Sequence, residues 1–364
     1  MGSRIKQQPR RMKKKPKRSG FSRFYRFLVI LSAFIVVGFC IYQYMTVLPD
    51  LPLFPEETSA LPELPDAGGE DEDVFTPSNP SPSGTHQRRE GVYNVLLCGT
   101  DHNNGGTDTI IVVQYDTVNQ EVHMVSVPRD TMILNSSGKI RKINSSYNNG
   151  GVDQLKAELR KLLGVPIDYY IKVDLNGFVA GIDALGGVDF EVPVNMNYDD
   201  PTPGQELHIH FNRGMTRLSG ADAIKVVRYR HDNDPSVNAG YNDQKRMETQ
   251  QALIKAVLAQ VLAHPLKVPE LVGIVMDHVE TDLSVRNMTA FANQVLTRLD
   301  MSDISSGTLP GNYAAQYGGG WYVALYPQEV VDMVNQRLNP YQRELTLDDV
   351  TITTLDGSNK PYTT

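Results

Sequence analysis

NVLLCGTDHNNGGTDTIIVVQYDTVNQEVHMVSVPRD, Asn94–Asp130, is the stretch whose reading decides the fold. It contains three apolar runs that leave Asp101, Asp108 and Arg129 at their ends. The first run, Tyr93–Cys98, stops at Gly99 and opens into a loop of Asp, His, Asn and Gly. The second, Thr109–Tyr115, and the third, Glu121–Val127, are rich in β-branched residues and separated by a turn over 116–119, so the pattern predicts strands. Strands ending at a common edge deliver two carboxylates and a guanidinium to one place. That set suits a divalent metal gripping phosphate, with arginine neutralising the oxygens the metal leaves free. Asx-rich loops are also ordinary turns, and Asp130 offers Arg129 a plain salt bridge.

The composition changes abruptly upstream. The first 26 residues hold eleven Lys and Arg and no acid, and Phe27–Val47 then runs 21 residues without a charge. A run of that length spans a hydrocarbon core of about 30 Å, and the basic flank is expected to stay cytoplasmic, leaving the rest of the chain outside the cell. A cleaved signal peptide would have a shorter apolar region and a small-residue cleavage site. Beyond residue 26 the chain carries 24 basic against 42 acidic residues, a net of −18. Such a surface excludes nucleic acid as a partner held by a general electrostatic footprint, so an anionic ligand needs clustered arginines or a bridging metal. Residues 48–90 are rich in Pro, Glu, Asp, Ser and Gly and read as a disordered linker. Cys40 falls in the apolar run and Cys98 in a strand, so no disulfide is expected.

Residues 91–345 read as one domain, with 346–364 as a C-terminal tail. Helical and strand patterns alternate along it. Helices are expected over 149–163, 176–185, from the Ser219/Asp222 cap to Val227, over 243–262, from Ser284 to Leu299 and over 328–338. Strands are expected over 168–173, 188–192 and 321–325. The mixture indicates an α/β domain with helices on both faces of a sheet.

Four more positions stand out as candidate ligands. Arg228 and Arg230 in VVRYRHD lie two apart just past a helix end, so an extended backbone points both to one face and Tyr229 to the other. Clustered guanidinium groups are favourable around a diphosphate, although Asp232 and Asp234 are also within reach. Arg246 sits in a first helical turn, where backbone amides favour an anion, with Gln250 one turn on. His102 is a soft-metal ligand by type, without a second histidine at a partnering spacing; His208 and His210 read as alternating strand residues. G-x-S-x-G, His-Glu-x-x-His and P-loop patterns are absent from the sequence.

The blocks NVLLCGTD, GTDTIIVVQYD, MVSVPRDT, KINSSYNNGG, DYYIKVDLNGFVAGIDALGGVDFEVP, LSGADAIKVVRYRHD and DQKRMETQQALIKAV together resemble the LytR–CpsA–Psr proteins of Gram-positive cell envelopes. The resemblance covers nearly all of 91–338 in family order. It implies an αβα sandwich with a central mixed sheet, preceded by one N-terminal transmembrane helix. It also implies a phosphotransferase that moves a teichoic acid or capsular-type polysaccharide from a polyprenyl-diphosphate carrier to peptidoglycan. The family's magnesium-binding aspartates fall on Asp101 and Asp108, and its phosphate-binding arginines on Arg129, Arg228, Arg230 and Arg246. Thr249 stands where the family carries a further arginine, and Lys245 where it carries glycine.

Residues and resemblance together suggest a chemistry. Mg2+ on Asp101 and Asp108 would bridge the diphosphate, with Arg129 and the other arginines clamping its remaining oxygens as a sugar hydroxyl attacks. Phe178, Val179, Ile182 and Leu185, at helical spacing, are candidate lining for the lipid tail, with ordinary core as the rival account. Two other functions stay open: a polyprenyl-phosphate-binding regulatory protein with little turnover, and an extracellular pyrophosphatase that uses water as acceptor.

Overall fold

The computed structural model of the chain describes Leu48 and residues 87–100, 107–135, 137–203 and 206–364. Phe27–Val47 and most of the linker lie outside the described residues, as do Asp101 and His102. The strands in chain order are β1 Val92–Thr100, β2 Thr107–Asp116, β3 Glu121–Ser126, β4 Met132–Leu134, β5 Ile140–Lys142, β6 Tyr169–Asp174, β7 Val188–Val192 and β8 Met196–Asp200. They continue as β9 Leu207–Phe211, β10 Gly214–Leu218, β11 Val279–Thr281, β12 Ile304–Thr308, β13 Gly311–Tyr317, β14 Gly320–Leu325, β15 Thr353–Leu355 and β16 Pro361–Thr363. The α-helices are α1 Asn144–Leu163, α2 Leu175–Ala184, α3 Gly220–Arg228, α4 Asp243–Ala263, α5 Val268–His278, α6 Val285–Arg298 and α7 Pro327–Arg337.

β1, β2 and β3 form an antiparallel meander, with Cys98 opposite Ile110 and Val112 opposite Val125. The pleat sends Leu96, Cys98, Ile110, Val112 and Val125 to one side and Leu97, Ile111, Val113 and Met124 to the other. A sheet apolar on both sides must be covered on both. On the first side α1 supplies Leu155, Leu159 and Leu162, and α7 supplies Val330, Val331 and Val334. On the second, α4 supplies Ile254 and Leu258, and α6 supplies Phe291 and Val295. Each such side chain contributes about 1.5–3 kcal/mol when fully buried. β6 runs parallel to β1 and β12 parallel to β3, so the mixed sheet has the order β11-β6-β1-β2-β3-β12. The result is an αβα sandwich.

A second, smaller core grows out of the sheet between β6 and α4. Ile182, Val188, Phe190, Met196, Ile209, Val226 and Tyr229 pack together there. α2 is followed by Gly186 and Gly187, whose φ values of 81° and 94° reverse the chain into β7, as the glycine pair implies. α3 starts at Gly220, capped by Ser219 as expected, and lies so close to α2 that a Cβ there would overlap the Val179 backbone.

Several sequence expectations are revised. α1 begins at Asn144 and is broken at Gly150 and Gly151, which have non-helical torsions, so Asn149 is not its start. The linker ends before residue 88: Arg88 forks onto Asp168 at 2.7 and 2.9 Å, and Arg89 donates to the Asn339 carbonyl at 2.7 Å. Residues 346–364 are not a tail. Ile352 is fully buried in the main core, the Thr354 hydroxyl donates to the Leu325 carbonyl, and β15 pairs with β16. Val350 and Ile352 carry the period-2 signal, but the threonines around them made the segment look polar. α5 and the short strands β8–β13 carry no clear local signal in the sequence, apart from the alternation of His208 and His210, which falls on β9.

Asp168 has a fully buried carboxylate that also accepts from the Asn94 amide at 2.8 Å. Removing it strands the Arg88 guanidinium, so Asp168→Ala is expected to lower stability by about 3–5 kcal/mol in a denaturant titration. An unchanged midpoint would show that residues 88–89 do not belong to the folded unit.

Candidate active site

Asp108 owes its place to an irregularity in the sheet. Gly99 pairs with Thr109 and Thr100 with Thr107, which leaves Asp108 as the extra residue of a bulge between β1 and β2. A bulge re-aims its unpaired side chain, and here the carboxylate accepts from Arg129 Nη1 at 2.5 Å. Arg129 follows β3 in a turn pinned to the start of α1, its carbonyl accepting from the Asn144 amide at 3.2 Å. Burial works against its charge, but the hydrogen bond and charge of Asp108, with Asp130 and Asp243, hold its pKa above the ordinary value.

α3 ends where the arginine pair begins. Tyr229 leaves the helix with extended torsions and is buried in the smaller core, while Arg228 and Arg230 line a common cavity. Arg246, in the first turn of α4, is only 6% exposed. Asp243 is shared, lying 3.6 Å from Arg230 and 3.5 Å from Arg246. Burial, then the neighbouring charge of Arg230, pulls the Arg246 pKa down to about 10. Among the described residues, the buried Nε atoms of Arg129 and Arg246 have no hydrogen-bond partner. An unmet buried donor costs about 1–3 kcal/mol. An anion that accepts from these groups would recover it.

Arg129, Arg228, Arg230 and Arg246 line one cavity of about 500 Å3, together with Asp108 and Gln250. It opens where β1 and β6 end in parallel, at Thr100 and Asp174, the carboxyl-end position at which open α/β sheets hold ligands. Much of the rest of its wall is apolar and includes Leu97, Val173, Leu175, Phe178, Leu207, Ile224, Val227, Leu253 and Ile254. A charged head and a hydrocarbon body on one ligand match that division.

Of the four expected lipid-lining residues, Phe178 is on this wall. Val179, Ile182 and Leu185 are not, which corrects that reading. Ile182 and Leu185 are 2% and 3% exposed, and α2 spends that face on the smaller core. The apolar wall comes instead from helix positions that share a face with the arginines: Ile224 is one turn before Arg228, and Leu253 and Ile254 lie one turn after Gln250. That spacing was the available signal. Thr249 is buried against the Tyr241 hydroxyl at 2.7 Å and does not line the cavity; Lys245 is exposed and paired with Glu248. Asp174, Tyr198, Asp200 and His231 line the wall without having been singled out from sequence. His231 meets the Tyr198 ring edge to face, with centroids 5.2 Å apart.

Residues 65–339 match the model of the LytR_cpsA_psr family. The chain belongs to the LytR–CpsA–Psr family. It is 30% identical over 248 residues to the Bacillus cereus protein named polyisoprenyl-teichoic acid–peptidoglycan teichoic acid transferase TagU, a match covering 66% of this chain and 76% of that one. It is 32% identical over 202 residues to the regulatory protein MsrR of Staphylococcus aureus, covering 54% of this chain and 58% of MsrR. The fold is shared with the solved structure of the LytR-Csp2A-Psr enzyme from Actinomyces oris, with a TM-score of 0.56, 22% identity and coverage of 71% of this chain and 93% of that one.

Cys98 also touches the cavity, but it is fully buried and its thiol is pushed up to about 12, chiefly by that burial. It is a neutral core residue and no nucleophile. Alkylation of the native chain at pH 8, read by peptide mass spectrometry, is expected to leave Cys98 unmodified; stoichiometric labelling without unfolding would contradict this.

Proposed function

We propose that this protein transfers a glycopolymer of the teichoic acid or capsular type from a polyprenyl-diphosphate carrier to peptidoglycan. The observation that carries the reading is the near-buried guanidinium of Arg246, set among Arg129, Arg228 and Arg230 at one part of a cavity whose remaining wall is largely apolar. The relationship to TagU, whose name states that chemistry, supports it. Arg228, Arg230 and Arg246 hold the diphosphate oxygens, and Arg129, oriented by Asp108, takes the oxygen nearest β2. A sugar hydroxyl of peptidoglycan attacks the sugar-proximal phosphorus. The bond to the bridging oxygen breaks, the glycopolymer leaves as a phosphodiester on the acceptor, and polyprenyl phosphate departs with the bridging oxygen. Charge growing on that oxygen is met by guanidinium groups already in place.

The described donor, Asp108, is of the type that a magnesium ion takes. Asp108 offers a second carboxylate oxygen that Arg129 does not use, and an oxygen-only site is what a hard cation requires. Asp108 with Asp101 would hold it, and when bound it would supply further neutralisation of phosphate charge. The apolar run Phe27–Val47, following a strongly basic segment, supports a single membrane anchor with the catalytic domain outside the cell.

The purified full-length chain should release polyprenyl phosphate from a polyprenyl-diphosphate saccharide when both Mg2+ and peptidoglycan are supplied. Release without acceptor would make it a pyrophosphatase; binding without release would make it a regulator. Arg228→Ala is expected to weaken binding of the lipid diphosphate by about 1.5–3 kcal/mol, ~10- to 150-fold, through loss of a charge-assisted contact. Asp108→Ala should lose most turnover, and full retention would reject the role given to that carboxylate.

A further inference from the structure

β8 and β9 form an antiparallel hairpin with two different faces. Met196 and Ile209 are buried on its inner face, and Tyr198, Asp200 and Leu207 on that side line the cavity. Asn197, Asp199, His208 and His210 are exposed on the outer face. Strand register places Asp199 directly opposite His208, and Asn197 opposite His210. Asp199 Oδ1 is 2.5 Å from His208 Nδ1 and 3.1 Å from His210 Nε2. All three ligand atoms lie within 4.8 Å of one another. His210 Nδ1 is 2.7 Å from Asn197 Oδ1, which leaves Nε2 as the nitrogen turned toward Asp199.

We infer that Asp199, His208 and His210 form a binding site for a divalent transition-metal ion of the zinc class, separate from the active-site cavity. The spacing follows from strand geometry: two histidines at i and i+2 point the same way, and a cross-strand partner meets them without any loop rearrangement. Two imidazoles and a carboxylate favour Zn2+ or a neighbouring first-row ion and disfavour Mg2+ and Ca2+, which need oxygen ligands throughout. The imidazole nitrogen left over on His210 has an oxygen acceptor in Asn197, the type of outer partner that fixes a ligating histidine's tautomer. Three protein ligands on an exposed face leave a coordination position open to water or to a second donor.

The site has a mechanical consequence for the cavity. The hairpin is tied to the segment after Arg228 and Arg230: the Asp199 amide donates to Asn233 Oδ1 at 2.5 Å, the Asn233 side chain returns a bond to the Asp199 carbonyl at 2.9 Å, and the Asn197 amide donates to Asp232 at 3.2 Å. An ion joining β8 to β9 therefore braces the wall behind that arginine-bearing segment.

The test uses the tag-free full-length chain, because an affinity tag of histidines would mask the result. Titration with Co2+, a spectroscopic stand-in for Zn2+, should give a saturable visible absorption band at one equivalent. Zn2+ should abolish the band, and millimolar Mg2+ should leave it. The double variant His208→Asn/His210→Asn should lose the band, Asp199→Asn should weaken it by at least about tenfold, and His264→Asn, at an exposed histidine outside the hairpin, should retain it. Circular dichroism checks that the exposed substitutions leave the fold intact. No saturable band in the wild-type chain, or the same band in the double variant, would overturn the inference.

Discussion

A buried guanidinium beside another guanidinium is the constraint on which the rest of the site depends. Arg246 sits in the protein with 6% exposure, next to Arg230, and burial together with that neighbour pulls its pKa down to about 10. Placing like charges in a poorly solvated wall is unfavourable unless something negative is there. Asp243 supplies part of the compensation at 3.5–3.6 Å from both arginines. Among the described residues the Nε donors of Arg246 and Arg129 have no acceptor, and a ligand with several acceptor oxygens would supply one.

The fold holds that arrangement rigid from several directions. β2 is buried on both sides, and its one exposed carboxylate near the site, Asp108, is displaced from the ladder by the bulge against Gly99 and Thr100. Tyr229, anchored in the smaller core, separates Arg228 from Arg230 and fixes both on the cavity side. Arg246 is set by the capped start of α4, where Asn242 accepts from the Lys245 amide. Because the two cores meet around the cavity, its wall takes apolar residues from the sheet ends on one side and from α3 and α4 on the other. Such a wall has no use for a small, fully hydrated anion; it suits one that carries a hydrocarbon chain.

Much of this was legible in the sequence because the relevant signals were local. The β-branched runs of β1–β3, the Ser219 and Ser284 caps and the glycine pair after α2 each specify their element within a few residues. The arginines were legible too, since Arg228 and Arg230 flank an apolar Tyr229. Non-local features were hidden. The bulge that turns Asp108 outward depends on the pairing of two strands, and the Arg88–Asp168 fork joins residues 80 positions apart. Phe178 shared its helical stripe with Ile182 and Leu185, but the tertiary partners of α2 divided that stripe between cavity and core. The polar hairpin β15–β16 and the Asp199–His208 pairing likewise exist only once strands find one another.

Whether one cavity reads a diphosphate and an isoprenoid chain together is measured directly by calorimetric titration of the full-length protein with prenyl diphosphates of increasing length. The affinity should rise with each added isoprene unit above that for inorganic pyrophosphate, and it should fall when the diphosphate is replaced by an uncharged head. Equal affinity for inorganic pyrophosphate and the long-chain compounds would contradict the account, because the apolar wall would then be playing no part in recognition.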